Sequence, residues 1–408
     1  MICISRLTSH FDRLASLGGN IETGFTRLAF SDADWEVRSV VKELMEQAGL
    51  SVRHDGFGNL IGRREGLSPV APAVMTGSHI DSVPHGGNFD GIAGVLTAIE
   101  AVHCLNDTAE THYHPIEVVV FMAEESSRFG AATLGSKAFC GHLNATDTEK
   151  RQDSQGVSLA AALRGRGLEP ENIHSYPATI KAFLELHIEQ GKVLETTQKQ
   201  IGIVTGIAAP TRIKVVLTGQ ADHSGATPMH LRQDALTAAA ELILLVEKIA
   251  GEESVRGTVG TTGVIRAEPG VMNVIPGQVE LGIDIRSIDA SSKQRVVREL
   301  TAAMNEISNR RGVQLETTML ADDSPVTLSP VIVQLLTDIC RTQNRPYLTM
   351  PSGAGHDAMH MAALAPTGMI FIPCRGGISH NPAEWATAED IAAGAAVLLQ
   401  ALRRLASV

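Results

Sequence analysis

The segment Ile116–Glu125, IEVVVFMAEE, decides the fold class of this chain of 408 residues. Its first part, Ile116–Met122, is an apolar run that is too short for an ordinary helix and rich in β-branched side chains, which predicts a buried strand. A second such run, Ile180–Ile188, and the amphipathic helical patterns around both indicate alternating strands and helices. Uninterrupted apolar strands between helices are typical of an α/β fold with a mixed, largely parallel sheet covered by helices.

The same periodicity arguments predict further helices and strands of this domain. Apolar residues recur at helical spacing in three segments and form short buried runs in two others. We therefore predict helices over 35–50, 91–105 and 388–405, and strands over 73–75 and 368–372.

The pattern changes between Arg212 and Met319, where strands and helices follow in the order β-α-β-β-α-β. This order is the split-βαβ motif, and the one-sided alternation of residues 279–286 suits a sheet with helices on one face. We therefore expect residues 211–324 to form an inserted domain that interrupts a larger one made of residues 1–210 and 325–408. The predicted strands of the insertion cover 212–217, 259–265, 279–286 and 313–319, and its helices 233–250 and 291–311.

Composition excludes several classes of function. The 34 Lys and Arg against 45 Asp and Glu give a formal charge of −11, which argues against a nucleic-acid-binding protein because such proteins need a surplus of cations. Five scattered cysteines without metal-ligand spacing argue against a disulfide framework or a structural zinc site. No uncharged apolar stretch reaches the roughly 18 residues of a membrane span. We expect a soluble, cytoplasmic protein.

Histidines and carboxylates follow several predicted strands, where open α/β sheets place their sites. Taken singly, each has an ordinary explanation: a helix N-cap for the aspartate in GGNFDG, a solvated loop for the glutamate pair, and a core or loop position for the histidines. Their shared location at strand ends instead favours one site. Its candidate members are His79, Asp90, Glu124, Glu125, His187 and His380, with Asp81 placed to accept the spare ring N–H of His79.

The adjacent pair Glu124 and Glu125 can divide two tasks. Repulsion and burial would penalise two neighbouring carboxylates at the end of a buried strand unless a cation compensates them. One can then bind a divalent metal while the other takes a proton from water. Two or more imidazoles with shared carboxylates suit two divalent ions, and Zn, Mn, Co and Ni all accept such ligands.

The motifs of this chain resemble those of the M20-type dinuclear amidohydrolases, in the branch of N-carbamoyl-L-amino-acid hydrolases and allantoate amidohydrolases. The resemblance runs in the same motif order from about Thr26 to about Leu402. It rests on GSHIDS, GGNFDG, AEES, ELHIEQG, DHSGATPM, VMNVIPG, SGAGHD and GISHNPAE. It implies a metal-binding catalytic domain and an inserted lid domain that also forms a homodimer.

The resemblance also implies roles for the strand-end residues. His79 and His187 would hold one ion, Glu125 and His380 the other, and Asp90 would bridge them. Glu124 would be the general base. Many peptidases and aminoacylases of the superfamily have an acidic residue where His187 stands, whereas the ureido-cleaving branch has histidine.

Further positions are implied outside the metal ligands. His223 resembles the histidine that reaches the neighbouring subunit's site and stabilises the developing oxyanion. Three residues resemble groups that bind a substrate carboxylate, and others resemble substrate-lining positions. The carboxylate-binding set is Arg212, Asn273 and Arg286, and the lining set is Gln190, Gly353 and Ala354.

The implied activity is hydrolysis of the ureido C–N bond of N-carbamoyl-L-amino acids, which are small carboxylate-bearing ureido compounds. The alternatives are an allantoate amidohydrolase of the same branch, an M20-type peptidase or aminoacylase, and a catalytically silent binding protein. His187 disfavours the peptidase, and the presence of every implied ligand disfavours the silent protein.

Overall fold

The computed structural model describes residues 1–407. Within that range it contains twelve α-helices and seventeen strands. The helices are α1 Ile4–Leu14, α2 Asp32–Gln47, α3 Ile92–Asp107, α4 Leu134–Phe139, α5 Ala145–Lys150, α6 Leu159–Arg164, α7 Val193–Thr196, α8 Ala235–Glu252, α9 Ala290–Arg311, α10 Pro330–Thr342, α11 Ala358–Met361 and α12 Ala388–Ala406. The strands are β1 Gly19–Asn20, β2 Gly24–Phe25, β3 Ser51–His54, β4 Leu60–Arg64, β5 Ala73–His79, β6 Ile116–Phe121, β7 Ile180–Ile188, β8 Ile201–Ile207, β9 Ala209–Thr218, β10 Asp222–His223, β11 Val259–Glu268, β12 Val274–Ile275, β13 Gln278–Ser287, β14 Gln314–Asp322, β15 Val326–Thr327, β16 Tyr347–Ser352 and β17 Thr367–Ile372.

The chain divides into two compact units. The first contains residues 1–205, 328–350 and 355 onward, and the second contains Gly206–Thr327 and Pro351–Ala354. Relative to the predicted insertion 211–324, the second unit takes in a few more residues at each end and the segment 351–354. Within this unit the carbonyl of Gly353 accepts a hydrogen bond from Arg286, which is one reason that this short segment groups with it.

The first unit is built on a mixed sheet whose strand order runs β8-β17-β7-β5-β6-β4-β3. The two apolar runs form the predicted buried strands, β6 and β7. Parallel pairing joins the four central strands, β17, β7, β5 and β6, while the flanking pairs are antiparallel. The sheet is therefore parallel where it is most deeply buried, as expected for strands covered on both faces.

The predicted helices α3 and α12 form, and their apolar side chains lie in one hydrophobic core with those of β5, β6 and β7. α3 is buried over nearly its whole length, from Ile92 to Leu105. α1, which the sequence patterns did not predict, adds Leu7, Phe11 and Leu14 to this core. Of the helices in residues 1–407, none combines the length and the apolar character needed to cross a bilayer.

The second unit contains a four-stranded antiparallel sheet in the order β11-β13-β9-β14. In β13 buried residues alternate with more exposed ones, as predicted. Val279, Leu281, Ile283 and Ile285 pack with the apolar residues of α8 and α9. The β-α-β-β-α-β order is confirmed, with the short pair β10 and β12 added to it.

The direction of the central strands positions the candidate site. Because β5, β6, β7 and β17 are mutually parallel, their carboxyl ends meet at the same edge of the sheet. His79 is the last residue of β5, and His187 is the last but one of β7. Glu124 follows β6 and His380 follows β17, so this edge collects side chains from four strands.

Candidate metal centre

Two imidazoles and one carboxylate form a first group at this edge. Asp90 Oδ1 lies 3.3 Å from His79 Nε2 and 3.1 Å from His187 Nε2. The two rings stack with their centroids 5.9 Å apart. All three donor atoms lie within 4.8 Å of one another, so a single metal ion could contact each of them.

A second group uses the other oxygen of the same aspartate. His380 Nε2 lies 3.4 Å from Asp90 Oδ2 and 3.1 Å from Glu125 Oε1. These three side chains also have donor atoms within 4.8 Å of one another. Asp90 therefore faces both groups, one oxygen to each, which is the geometry required of a carboxylate that bridges two cations.

The buried rings are held through Nδ1, and their Nε2 atoms face Asp90. His79 Nδ1 lies 3.1 Å from the main-chain carbonyl oxygen of Asp81, and His187 Nδ1 lies 2.9 Å from that of Ile188. A carbonyl can only accept, so Nδ1 carries the proton in each neutral ring and the Nε2 lone pair faces Asp90. The Nε2 atom of His187 also accepts the main-chain N–H of Gly91 at 3.2 Å. Nitrogen and carboxylate donors in this arrangement fit a divalent metal ion.

Asp81 has a different role from the predicted one. The ring of His79 donates to the main-chain carbonyl of Asp81, whereas the Asp81 carboxylate lies 3.7 Å from that ring nitrogen. The carboxylate instead accepts the main-chain N–H groups of Glu124 at 3.1 Å and Glu125 at 3.0 Å. Asp81 thus fixes the backbone from which both glutamates project.

The Asp90 side chain does not cap the helix that follows it. The N-cap residue of α3 is Gly91, and no side chain caps this helix end. Gly91 has a φ of 64°, and a Cβ at this position would lie 2.5 Å from His79 Nε2. Glycine is needed here both for the backbone conformation and for the space that the histidine occupies.

Negative charge dominates the electrostatics of the site. Burial opposes ionisation of Asp90, but the neighbouring His187, His380 and His79 outweigh it and hold the pKa of Asp90 well below its usual value. Hydrogen bonding to Asp90 and Glu125 raises the pKa of His380 to about 10. Carboxylates that favour a protonated imidazole in this way indicate a site that attracts positive charge, which a metal cation would supply.

Glu124 lies beside the two groups and belongs to neither of them. Its Oε2 lies 3.8 Å from His79 Nε2, and the residue is buried. Burial and the charge of Glu125 raise the pKa of Glu124 well above its usual value, against the opposing effect of His79. A carboxylate with a raised pKa that is left out of the ligand groups can both accept and return a proton.

Sequence reasoning missed three contacts to Asp90. Gln190, predicted to line the substrate site, donates from Nε2 to Asp90 Oδ2 at 2.6 Å. Ser379 Oγ lies 2.9 Å from the same oxygen, and Glu384 accepts the main-chain N–H of Asp90. Both residues stand within the GISHNPAE motif, but no pattern of spacing shows which side chains meet Asp90 in space.

Left-handed backbone conformations occur at the edges of the site. Ala123, Thr133, Gln190 and His380 have φ values between 54° and 58°. Such values are unfavourable for residues with a Cβ and persist where the surrounding structure requires them, often at functional sites. The segments that carry the glutamate pair and His380 are therefore held in fixed, strained conformations.

The second unit brings two of the predicted carboxylate-binding residues together. Arg212 Nε donates to Asp284 Oδ2 at 3.0 Å, and Arg286 Nε donates to Asp284 Oδ1 at 2.9 Å. Arg286 also donates from Nη1 to the Gly353 carbonyl at 3.1 Å. Ala354 donates its N–H to Ser352 Oγ, so the 353–354 turn has its own hydrogen bond.

His223 and Asn273 lie together elsewhere in the second unit, since His223 is in β10 and Asn273 directly precedes β12, its partner strand. The Asn273 carbonyl accepts the N–H of Ser224 at 3.0 Å. His223 Nδ1 accepts the N–H groups of Gly225 at 3.1 Å and Ala226 at 3.2 Å. The proton of the neutral His223 ring therefore belongs on Nε2, which makes this exposed nitrogen a hydrogen-bond donor.

The fold and the site define a class: an α/β protein whose central sheet has, at one edge, carboxylate and imidazole groups that could hold metal ions. The sequence profile of Peptidase family M20/M25/M40 matches residues 75–404. The chain belongs to this family, which is metal-dependent.

Named relatives align with nearly the whole chain. An N-carbamoyl-L-amino acid amidohydrolase of Geobacillus stearothermophilus is 42% identical, and the alignment covers 100% of this chain and 99% of the relative. A ureidoglycolate hydrolase of Arabidopsis thaliana is 39% identical, with 98% and 86% covered. An allantoate amidohydrolase of Escherichia coli (strain K12) is 37% identical, with 96% of each chain covered.

A solved structure has the same fold over the same length. The crystal structure of an amidase of the hydantoinase/carbamoylase family from Burkholderia multivorans superposes with a TM-score of 0.95. It is 36% identical, and the match covers 100% of this chain and 98% of that chain. The α/β fold predicted from the sequence is therefore confirmed.

Proposed function

We propose that this protein hydrolyses the ureido C–N bond of N-carbamoyl-L-amino acids and releases the amino acid, ammonia and CO2. The observation that carries the proposal is Asp90, whose two oxygens face two separate groups of imidazole and carboxylate ligands. The relative named N-carbamoyl-L-amino acid amidohydrolase, 42% identical along the chain, supports this choice of substrate.

Two divalent cations fit the donor set at the sheet edge. His79 and His187 would hold one and Glu125 and His380 the other, with Asp90 shared between them. Zn, Mn, Co and Ni all accept this combination of imidazole and carboxylate. When bound, such ions lower the pKa of water and polarise a carbonyl oxygen.

Glu124 would act as the general base. It takes a proton from the attacking water, which adds to the ureido carbonyl carbon, and it returns the proton to the leaving nitrogen. Its position outside both ligand groups supports this role, because an unligated carboxylate keeps its lone pairs available. Asp81 holds the Glu124 backbone and so fixes where this carboxylate points.

The second unit would recognise the rest of the substrate. Arg212, Arg286 and Asn273 would bind the carboxylate, since a guanidinium presents paired donors that match this anion. His223, with its proton on Nε2, would donate to the developing oxyanion. The family resemblance predicts that this donor comes from a neighbouring subunit. The homodimer, the lid boundaries 211–324 and the cytoplasmic location also stay predictions.

An ammonia-release assay tests the proposal. Metal-free protein is reloaded with Zn, Mn, Co or Ni and supplied in parallel with N-carbamoyl-L-amino acids, allantoate, ureidoglycolate and N-acetyl-L-amino acids; release of the free amino acid is followed in the last case. We expect the largest kcat/KM with an N-carbamoyl-L-amino acid. Turnover of N-acetyl compounds alone would contradict the proposal.

Allantoate amidohydrolase activity is the second candidate. Allantoate also combines a carboxylate with ureido groups, and the Escherichia coli relative of that name is 37% identical. Arg212 and Arg286 would bind the carboxylate of either substrate. Contacts to the rest of the substrate molecule therefore decide which one is preferred. A higher kcat/KM with allantoate than with every N-carbamoyl-L-amino acid would favour this candidate.

A further inference from the structure

One buried carboxylate, Glu384, joins the loop that carries Asp90 to the loop that carries His380. Glu384 is 2% exposed. Its Oε1 accepts the main-chain N–H of Phe89 at 2.9 Å and that of Asp90 at 3.0 Å. A single side chain thus holds the backbone of the one residue that both ligand groups share.

The other oxygen of Glu384 reaches the His380 loop. Ser379 Oγ lies 2.8 Å from Glu384 Oε2 and 2.9 Å from Asp90 Oδ2. A serine hydroxyl has one proton, so it donates to one of these oxygens at a time. Because Ser379 directly precedes His380, these contacts hold two loops together that are almost three hundred residues apart in the sequence.

Gly87 leaves the space that this carboxylate fills. A Cβ at Gly87 would lie 2.2 Å from Glu384 Oε1 and 2.4 Å from Glu384 Cβ. Both separations are shorter than a non-bonded contact allows, and Glu384 Cβ is too close to its own backbone to move aside freely. A side chain at position 87 would therefore displace Glu384 from its two N–H donors.

We infer from these contacts that Glu384 is a positioning residue that sets the separation between the two ligand groups by its reach rather than by its charge. The inference rests on the proposed function, because it requires two bound cations. Hydrogen-bonding groups outside the metal ligands typically change metal affinity by roughly 10- to 100-fold. We expect an effect of this size on the more weakly bound of the two ions.

Three substitutions separate reach from charge. Glu384→Gln keeps the reach: its carbonyl oxygen can accept both N–H groups, and its amide can donate to Ser379, whose hydroxyl then serves Asp90. Glu384→Asp keeps the charge but is one methylene shorter, and Glu384→Ala has neither. The readout is titration of the metal-free full chain with Co²⁺, followed by calorimetry and by the visible absorption of the bound ion.

We expect Glu384→Gln to bind two ions with wild-type affinity. Glu384→Asp and Glu384→Ala should bind the weaker ion roughly 10- to 100-fold less tightly, with an altered Co²⁺ spectrum. Gly87→Ala should cause the same loss of affinity, because its Cβ displaces the Glu384 carboxylate while Glu384 itself is unchanged. Loss of affinity with Gln but not with Asp, or wild-type affinity in all four variants, would overturn the inference.

Asp55→Ala is the matched control for general destabilisation. The Asp55 carboxylate also accepts main-chain N–H groups, from Phe57 and Gly58 at 2.9 Å each, in a turn that carries no ligand. We expect this variant to lose stability and keep wild-type affinity for both ions; an equal loss of affinity would overturn the inference. A wild-type chain that binds fewer than two ions would instead contradict the proposed function.

Discussion

Two histidines of the first unit and two arginines of the second differ in how far their side chains are exposed to solvent. In the first unit the side chains of His79 and His187 are 2% and 1% exposed, and they face Asp90, whose side chain is 11% exposed. In the second unit the side chains of Arg212 and Arg286 are 50% and 32% exposed, and they share Asp284. Buried charges need a cation to balance them, whereas hydrated arginines can exchange one carboxylate partner for another.

With the proposed roles, this difference predicts that the first unit carries out the chemistry and the second recognises the substrate. Changes at the sheet edge of the first unit should alter metal content and kcat. Changes at the arginines of the second unit should alter KM. A sheet-edge variant that changed only KM, or an arginine variant that changed metal content, would contradict this division.

Removing the shared aspartate should have the largest effect. Asp90→Ala deletes the carboxylate that faces both ligand groups, so we expect the chain to lose both ions. Because general base catalysis alone contributes roughly 10²- to 10⁴-fold and here depends on those ions, activity should fall by at least that factor. Metal analysis after dialysis, together with the ammonia assay, checks both expectations. Retention of two ions would contradict the bridging role.

Removing only the proposed base should separate catalysis from metal binding. Glu124→Gln keeps the shape of the side chain but cannot take a proton, so kcat should fall by roughly 10²- to 10⁴-fold while two ions stay bound. Steady-state kinetics and metal analysis of the same preparation test this. The assignment fails if turnover stays at the wild-type rate.

Changing an arginine of the second unit should affect substrate binding alone. A lost charge-assisted hydrogen bond costs about 1.5–3 kcal/mol, so Arg286→Ala should raise KM by roughly 10- to 100-fold with metal content unchanged. Arg286→Lys should restore only part of the loss, because lysine lacks the paired donors. Arg266, which pairs with Glu280 on the same sheet, offers a matched control, and Arg266→Ala should keep the wild-type KM.

The smallest expected effect concerns an ion-pair cluster between helices α8 and α9 of the second unit. Hydrogen bonds from Arg311 and Arg310 lower the pKa of Glu241 from 4.5 to about 2. A carboxyl whose folded pKa is lowered adds stability above its unfolded pKa and loses it as the pH falls towards the folded value. Because the groups are solvent-screened, the contribution should stay below about 1 kcal/mol.

Urea unfolding of the wild type and of Glu241→Gln, between about pH 6 and about pH 2, measures this contribution. The difference in free energy of unfolding should be present at the upper end and shrink towards the lower end. A difference that grows on acidification would contradict the sign of the pKa shift.

The strands and helices were largely predictable because hydrophobic periodicity reports burial directly. Ile180–Ile188 is a strand over the predicted range, and α12 begins at the predicted Ala388. The order of the strands was not predictable, because pairing joins residues that are distant in the chain. α1 was missed because its short apolar stripe becomes a core element only through packing against α3 and α12.

The residues that converge at the sheet edge were predictable, but the hydrogen bonds that hold them there were not; their role as metal ligands stays a prediction. Strand ends and the family motifs pointed to Asp90 and His380, and the structure brings both into one group with Glu125. The bond from His79 to the Asp81 carbonyl was not predictable, because the choice between main chain and side chain depends on fractions of an ångström. Glu384 likewise acts through main-chain N–H groups that have no signature in sequence.

The place of β17 in the sheet also has a consequence for biosynthesis. This strand lies beside β7, yet the ribosome makes it only after the whole second unit. A nascent chain that stops before Thr367 thus lacks an inner strand of its main sheet, together with His380 and Glu384. Such a fragment contains the residues of the first ligand group, His79, Asp90 and His187, whereas the second group lacks its imidazole. The second group can therefore be completed only after synthesis has passed His380.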